Sequence, residues 1–181
     1  ERIKYQSEEV NHIITQLQVS RDTIPANTNP FKHRTEFINP VKELFFVIQR
    51  TSVSNPFDYD HPSQILNNDY ISYENLQSLE ITLDGEVMLN EKTGKFINLR
   101  AVQSGIHHSR TQLFRRFYSY SFALEPERWY PTGQRNFSMI KNQNFKFDLN
   151  ALSENRELRV YALSNNILEF KDGVAKLRFN S

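Results

Sequence analysis

The run LEITLDGEVML, residues 79–89, shows most clearly which kind of fold this chain adopts. Apolar side chains recur at every second position before and after Asp84-Gly85, and this period of two places one set of side chains on a buried sheet face. The Asp-Gly pair favours a two-residue hairpin turn, because a type I′ turn needs positive φ at both central positions. The run therefore predicts two antiparallel strands joined by a tight turn.

The same alternation recurs along the chain. It is weak in residues 13–19, clear in residues 145–149, and in residues 118–124 it separates large from small side chains. In that last run, Tyr118, Tyr120, Phe122 and Leu124 are predicted to share one face of a strand. Each of these runs predicts a strand with one buried face.

Two runs are apolar on both faces, which is typical of strands in the middle of a sheet. They are residues 41–49 and residues 158–163. Near the C-terminus, the strand-like runs 167–170 and 174–179 flank Lys171-Asp172-Gly173, which predicts a second hairpin. The chain thus contains about eight predicted strands.

Segments rich in Pro and Asn separate these strands and predict loops at residues 24–30, 54–63 and 126–133. Residues 68–76 and 109–116 could each form a helical turn, but neither carries a capped amphipathic pattern. Many strands without alternating helices predict an all-β, antiparallel two-sheet sandwich with long loops and little helix. Periodicity alone does not choose the strand topology.

Composition excludes several classes of protein. The 22 Lys and Arg residues nearly balance the 21 Asp and Glu residues, for a formal net charge of +1, so no global field favours nucleic acid. The chain has no cysteine, which excludes disulfides and thiolate metal sites. No run is long and apolar enough for a membrane-spanning helix. Because the chain begins at Glu1 without Met, we expect it to be a piece of a longer protein.

No residue is nominated as catalytic, cofactor-binding or metal-binding. His107-His108 is the one histidine cluster, and adjacent side chains on a regular strand point to opposite faces, so both cannot bind one metal. His12, His33 and His61 stand in polar or Pro-rich surroundings and are predicted to be solvated loop or strand-edge residues. Motifs for a serine nucleophile or a phosphate-binding loop are absent from the sequence.

Other polar and aromatic groups are predicted to lie at the surface. The carboxylates of Glu8-Glu9 and of Glu125 with Glu127 could serve acid–base chemistry but are more often surface charges. Trp129-Tyr130 could stack on a sugar, anchor another subunit or pack within its own loop. Asn136-Phe137-Ser138 is a glycosylation sequon, for which we expect no glycan in a chain without cysteine or secretory signal. The arginines near residue 110 favour an interface with a partner surface over nucleic acid; they are Arg100, Arg110, Arg115 and Arg116.

Several ordered segments resemble one family. They are YSFALEPE at residues 120–127, PTG at 131–133, NFS at 136–138, NPVKEL at 39–44 with the apolar run to Gln49, and RVYA at 159–162 with the segment to Leu177. Together they resemble the second jelly roll of the major capsid proteins of nucleocytoplasmic large DNA viruses. Arg128-Trp129-Tyr130 and Gln134-Arg135 depart from the residues that many members carry there.

The resemblance implies an eight-stranded antiparallel jelly-roll domain over residues 1–181, the C-terminal half of a double jelly-roll subunit whose first jelly roll is absent here. It also implies that three subunits form a pseudo-hexagonal capsomer, which contacts neighbouring capsomers and minor capsid proteins in an icosahedral virion assembled in the host cytoplasm. Repeated contacts then stabilise the shell without a catalytic centre or cofactor. No membrane span and no direct contact with nucleic acid are expected.

Two other functions remain open from the residues alone. A carbohydrate-binding jelly-roll module would use Trp129, Tyr130 and the tyrosine-rich strand to stack on sugar rings, and it would bind glycans as a monomer. A cupin-like metalloenzyme would hold a metal ion in near-stoichiometric amount, which elemental analysis detects.

Overall fold

Ten strands and three short helical segments make up the regular structure in the computed structural model, which describes residues 9–52, 75–110, 117–151 and 153–179. The strands are β1 (Val10–Ile24), β2 (Phe31–Thr35), β3 (Pro40–Arg50), β4 (Leu76–Leu83), β5 (Glu86–Leu89), β6 (Phe117–Ser121), β7 (Arg135–Asn136), β8 (Gln143–Leu149), β9 (Arg156–Lys171) and β10 (Val174–Leu177). The helical segments are a π-helical turn (Asn98–Val102), which continues into α1 (Gln103–His107), and a 3₁₀ turn (Phe137–Met139).

Four antiparallel strand pairs are nested in the chain: β4 with β5, β3 with β6, β2 with β8, and β1 with β9. They form one long ribbon, which folds over so that β9 also pairs with β3 and β8 with β4. The sheet orders are therefore β1-β9-β3-β6 and β2-β8-β4-β5. Eight strands wrapped in this way form a jelly roll, which confirms the predicted fold class. The described residues hold ten strands and not eight, because β7 and β10 are short additions to β3 and β9.

Both predicted hairpins are present. At the first, Leu83 pairs with Glu86, and Asp84 and Gly85 have φ angles of 49° and 87°. At the second, β9 turns into β10 through Asp172 and Gly173, again with positive φ at both residues. These left-handed conformations are the ones that a two-residue turn between twisted strands requires.

The hydrophobic core lies between the two sheets. Phe46 of β3 is fully buried and has its ring 5.9 Å from the rings of both Phe145 and Phe147 on β8 of the opposite sheet. Alternate residues of β4, such as Leu79 and Ile81, fill the same space, as the period of two predicted. The predicted central strands are also confirmed, since β9 lies between β1 and β3, and β3 between β9 and β6.

The prediction for residues 118–124 is only partly right. Tyr118 is buried in the core as predicted, but β6 ends at Ser121, and Leu124 is exposed outside the strand. The Ser121 hydroxyl donates to the carbonyl of Ala123 and accepts from its amide, which bends the chain away from the sheet. Ser119, on the outer side of β6, is buried because α1 packs over it.

Little helix was expected. The two possible helical turns, at residues 68–76 and 109–116, lie almost entirely outside the described residues, and Leu76 already belongs to β4. The observed helical segment at residues 98–107 was not predicted. Of the predicted loops, residues 54–63 lie outside the described residues, whereas residues 25–30 and 126–133 connect strands, as expected. In the described part of the chain, no helix is long and apolar enough to cross a membrane.

Candidate interaction surface

A polar cluster joins three parts of the chain at one end of α1. His108, directly after α1, has its Nε2 atom 2.6 Å from Glu43 Oε1 and its Nδ1 atom 3.4 Å from Glu127 Oε1. Glu43 lies on β3 with only 1% of its surface exposed, and Glu127 lies in the loop after β6. The amide of Ser109 also donates to Glu127. The imidazole therefore bridges a buried and an exposed carboxylate.

These contacts shift two pKa values in opposite directions. The hydrogen bond with Glu43 is the main cause that raises the pKa of His108, and Glu127 adds to it, while partial burial opposes both. Hydrogen bonds from Ser109 lower the pKa of Glu127, with a smaller contribution from His108. The cluster thus favours a protonated imidazole and an ionised Glu127.

Two further contacts hold the loop after β6 in place. Lys42 Nζ donates to the carbonyl of Pro126 at 2.8 Å, and burial lowers the pKa of this lysine. His107 Nδ1 lies 2.9 Å from the carbonyl oxygen of Leu124. Together with the His108 cluster, these contacts fix the loop against β3 and α1.

The fixed loop presents its aromatic side chains to solvent. Trp129 is 81% exposed, and its ring meets that of Tyr130 edge-on at 5.4 Å. The predicted aromatic pair is therefore on the surface and not packed in the core. A rigid loop that carries exposed aromatic rings can anchor another protein or stack on a sugar.

The histidines do not all lie where the sequence suggested. His107 ends α1 and His108 follows it, so neither is on the regular strand that the argument about opposite faces assumed. Each ring nitrogen of His108 meets a different carboxylate, so the three side chains do not converge on one point. Within the described ranges, no group of three or more His, Cys, Asp or Glu side chains is placed to hold a metal ion.

The prediction for His33 is only partly right, because it lies on β2 at the edge of its sheet but is not solvated. It is buried, with its Nε2 atom 2.9 Å from Ser20 Oγ and its Nδ1 atom 3.0 Å from Asp22 Oδ2, so it fastens β2 to β1. His12 is exposed on β1, as predicted, and contacts the ring of Phe170 edge-on. His61 lies outside the described residues.

The remaining candidates are surface groups where the structure describes them. Glu125 is exposed and pairs with Arg128 at 2.6 Å. Asn136 is exposed, and its side-chain oxygen accepts from the Ser138 amide to cap the 3₁₀ turn. Of the four arginines, Arg100 lies in the π-helical turn and Arg110 is exposed after α1. Glu8, Arg115 and Arg116 lie outside the described residues.

Sequence reasoning missed the cluster around His108, although one signal was present. Lys42 and Glu43 are adjacent charged residues inside a strand that was predicted to be buried on both faces. A buried charge needs a partner, so the pair marks a polar cluster. The partners lie 65 and 84 residues away along the chain, and the strand pattern does not identify them.

The outer face of the second sheet carries a basic groove of about 420 Å³. Lys32 on β2 stands directly opposite Lys146 on β8, and Arg34 lies on the same side. Like charges opposite one another are unfavourable in an antiparallel pair, and Glu80, 3.8 Å from Lys146, offsets part of that repulsion. The groove can meet an acidic surface.

Comparison with known proteins places these surfaces in context. Residues 1–176 match the family described as large eukaryotic DNA virus major capsid protein. The major capsid protein of Phaeocystis pouchetii virus is 31% identical over 106 residues, which cover 56% of this chain and 20% of that protein. That of Pyramimonas orientalis virus is 25% identical over all of this chain and 46% of its own length.

A solved structure shares the fold. PBCV-1 VP54, in a crystal structure fitted into a cryo-EM reconstruction of the virophage Sputnik, superposes with a TM-score of 0.77 over 96% of this chain and 52% of its own, at 20% identity. The chain thus spans about half the length of that protein and less than half of the two viral relatives. The match over nearly all residues shows that this chain belongs to the family of large eukaryotic DNA virus major capsid proteins.

Proposed function

We propose that this chain is the C-terminal of two jelly rolls in a capsid subunit, and that three such subunits form a pseudo-hexagonal capsomer of an icosahedral shell. The observation that carries the proposal is the family match over residues 1–176. The lengths support it, because a relative that matches the whole chain is about twice as long. The jelly-roll topology supplies a rigid block whose edges can be tiled by symmetry.

The role is structural and not enzymatic. A capsid block needs rigid surfaces that neighbours can cover, and the exposed aromatic loop and the basic groove of the second sheet suit this need. We propose that neighbouring capsomers and minor capsid proteins are its partners and that it acts in the virion capsid after assembly in the host cytoplasm. The near-zero net charge supports contacts with protein and not with the genome.

The test is the oligomeric state of the natural full-length protein. Light scattering coupled to size-exclusion chromatography should give the mass of three subunits, and the residues upstream of Glu1 should encode a second run of about eight alternating strands. A full-length protein that stays monomeric at high concentration would contradict the proposal.

A second function rests on a specific observation. Trp129 and Tyr130 are exposed side by side on a loop held at three points, which is the kind of platform that stacks on sugar rings. A carbohydrate-binding module should bind a glycan array as a monomer, and Trp129→Ala should abolish that binding. Trimers that bind no glycan would favour the capsid role over this alternative.

A further inference from the structure

The first strand of the sandwich has an inverted pattern. In the middle of β1, residues 16–20, the side chains turned toward the rest of the sandwich are polar. Gln18 accepts from the amide of Ile38 and donates to its carbonyl, and Ser20 hydrogen-bonds His33 of the opposite sheet. Gln16 accepts from Asn166 at 2.7 Å. The two side chains turned to solvent in this stretch are apolar, with Leu17 61% exposed. A sandwich strand in water normally has the opposite arrangement.

The neighbouring strand extends this apolar surface. The antiparallel register sets Leu17 opposite Leu163 and Val19 opposite Tyr161, so these four side chains lie on the same outer side of the sheet. Ile13, also exposed, lies four residues before Leu17 on the same side. We name this surface the β1–β9 face: Ile13, Leu17, Val19, Tyr161 and Leu163. Leu17, Val19, Tyr161 and Leu163 are contiguous, whereas Thr15 separates Ile13 from them. Exposed apolar surface of this kind marks an interaction site.

The edge of β1 is also unprotected. It ends its sheet among the described strands, and natural edge strands are usually guarded by lysine, proline or a bulge. Residues 13–20 contain no charged residue, no proline and no glycine. A neutral strand can approach an identical strand without repulsion between like charges. This neutrality favours a second copy of the chain over a charged partner.

We propose that the β1–β9 face is an interface at which a second copy of this chain packs. The proposal rests on the proposed function, because a shell protein brings many identical copies together, and it names the surface through which they meet. The polar inner side of β1 then holds the strand in the sandwich, while the apolar outer side holds the copies together.

The test is a double substitution in the natural full-length protein, L17K with V19K. Both side chains are exposed, so the fold should survive, and circular dichroism should be unchanged. Two lysines buried at an interface lack partners, so sedimentation should show association weakened at least tenfold. The matched control is Met139→Lys in the 3₁₀ turn, where Met139 is 78% exposed and lies outside both the β1–β9 face and the basic groove. It should leave association unchanged.

The outcomes separate this inference from the proposed function. Trimers in the unsubstituted protein that L17K/V19K leaves intact would overturn the inference and leave the proposed function standing. An intact trimer with a lowered unfolding temperature would identify the same subunit's own chain as the occupant and would also overturn it. Equal weakening by Met139→Lys would show a general effect of added charge and would also overturn the inference. A monomeric unsubstituted protein would contradict both proposals.

Discussion

Glu43 is a carboxylate enclosed in an apolar strand, and its contact with His108 is what compensates its charge. Substitution of His108 by alanine leaves that carboxylate buried without its partner. We expect the free energy of unfolding to fall by about 3 kcal/mol, which is the lower end of the range measured when one member of a buried pair is removed.

Denaturant unfolding of His108→Ala measures this loss. The control is the double variant H108A/E43Q, in which the orphaned charge is gone; it should be more stable than His108→Ala alone. A double variant that is less stable than the single one would show that the charge of Glu43 is not what His108 compensates.

The raised pKa of His108 makes stability depend on pH in a defined window. Its contribution is fully present below the unfolded pKa, about 6.5, and is lost as the pH rises through the higher folded pKa. The lowered pKa of Glu127 acts in the acid range, where its contribution is lost as the pH falls below its ordinary value of 4.5. Denaturation midpoints above pH ~6.5 should therefore decline more in the natural protein than in His108→Gln, which cannot titrate. Parallel curves for the two proteins would refute this role of His108.

At this scale the sequence predicted little. Burial of Lys42 and Glu43 followed from the apolar run around them, but their partners come from a helix end and a loop that meet only in the folded chain. His33 was expected to be a solvated loop or strand-edge residue because its neighbours are polar. Its burial depends on contacts with Ser20 and Asp22 of β1, a strand of the opposite sheet that meets β2 only in the folded chain.

At the scale of elements, the Asp84-Gly85 turn requires left-handed backbone geometry. Gly85 has φ of 87°, and a Cβ there would meet no atom within 4 Å, so any penalty for Gly85→Ala comes from the backbone alone. We expect a loss of about 1 kcal/mol in the free energy of unfolding.

Gly105 is the matched control, because an added Cβ there would also meet open space but the φ of Gly105 is not in the left-handed range. Gly105→Ala, in α1, should stabilise by about 0.5 to 1 kcal/mol; a gain in stability at Gly85 would contradict the geometry.

Strands and hairpins were predictable because their signals are local: alternation, and Asp-Gly or Lys-Asp-Gly between two runs. The helical segment at residues 98–107 was not, because it is short and has no side-chain cap. Tertiary contact stabilises it: Ser104 Oγ lies 3.2 Å from Ser119 Oγ of β6, and both residues are buried. The same contact explains why small side chains on the outer side of β6 are enclosed.

For the whole molecule, topology is the part that periodicity did not determine. The outermost pair of the nested ribbon joins residues as far apart as Val10 and Phe170, and no local pattern encodes that pairing. The resemblance of ordered segments to a known family predicted the jelly-roll topology, and the strand order confirms it. Nor did the alternation of β1 show which of its faces is buried, and Leu17 and Val19 point away from the core.

The sandwich and the loop after β6 should unfold as one unit, because one buried core joins the two sheets and the loop is fastened to β3 and α1. Phe46→Ala removes the ring that meets both Phe145 and Phe147, and a fully buried Phe typically contributes 3 to 5 kcal/mol, so we expect a loss of about 4 kcal/mol. Phe45→Ala, on the half-buried outer side of the same strand, is the control and should lower the free energy of unfolding by less.

Fluorescence of Trp129, the chain's one tryptophan, reports on the loop, whereas far-ultraviolet circular dichroism reports on the sheets. Both signals should shift together in Phe46→Ala; separate midpoints would show that the loop region and the sandwich unfold independently.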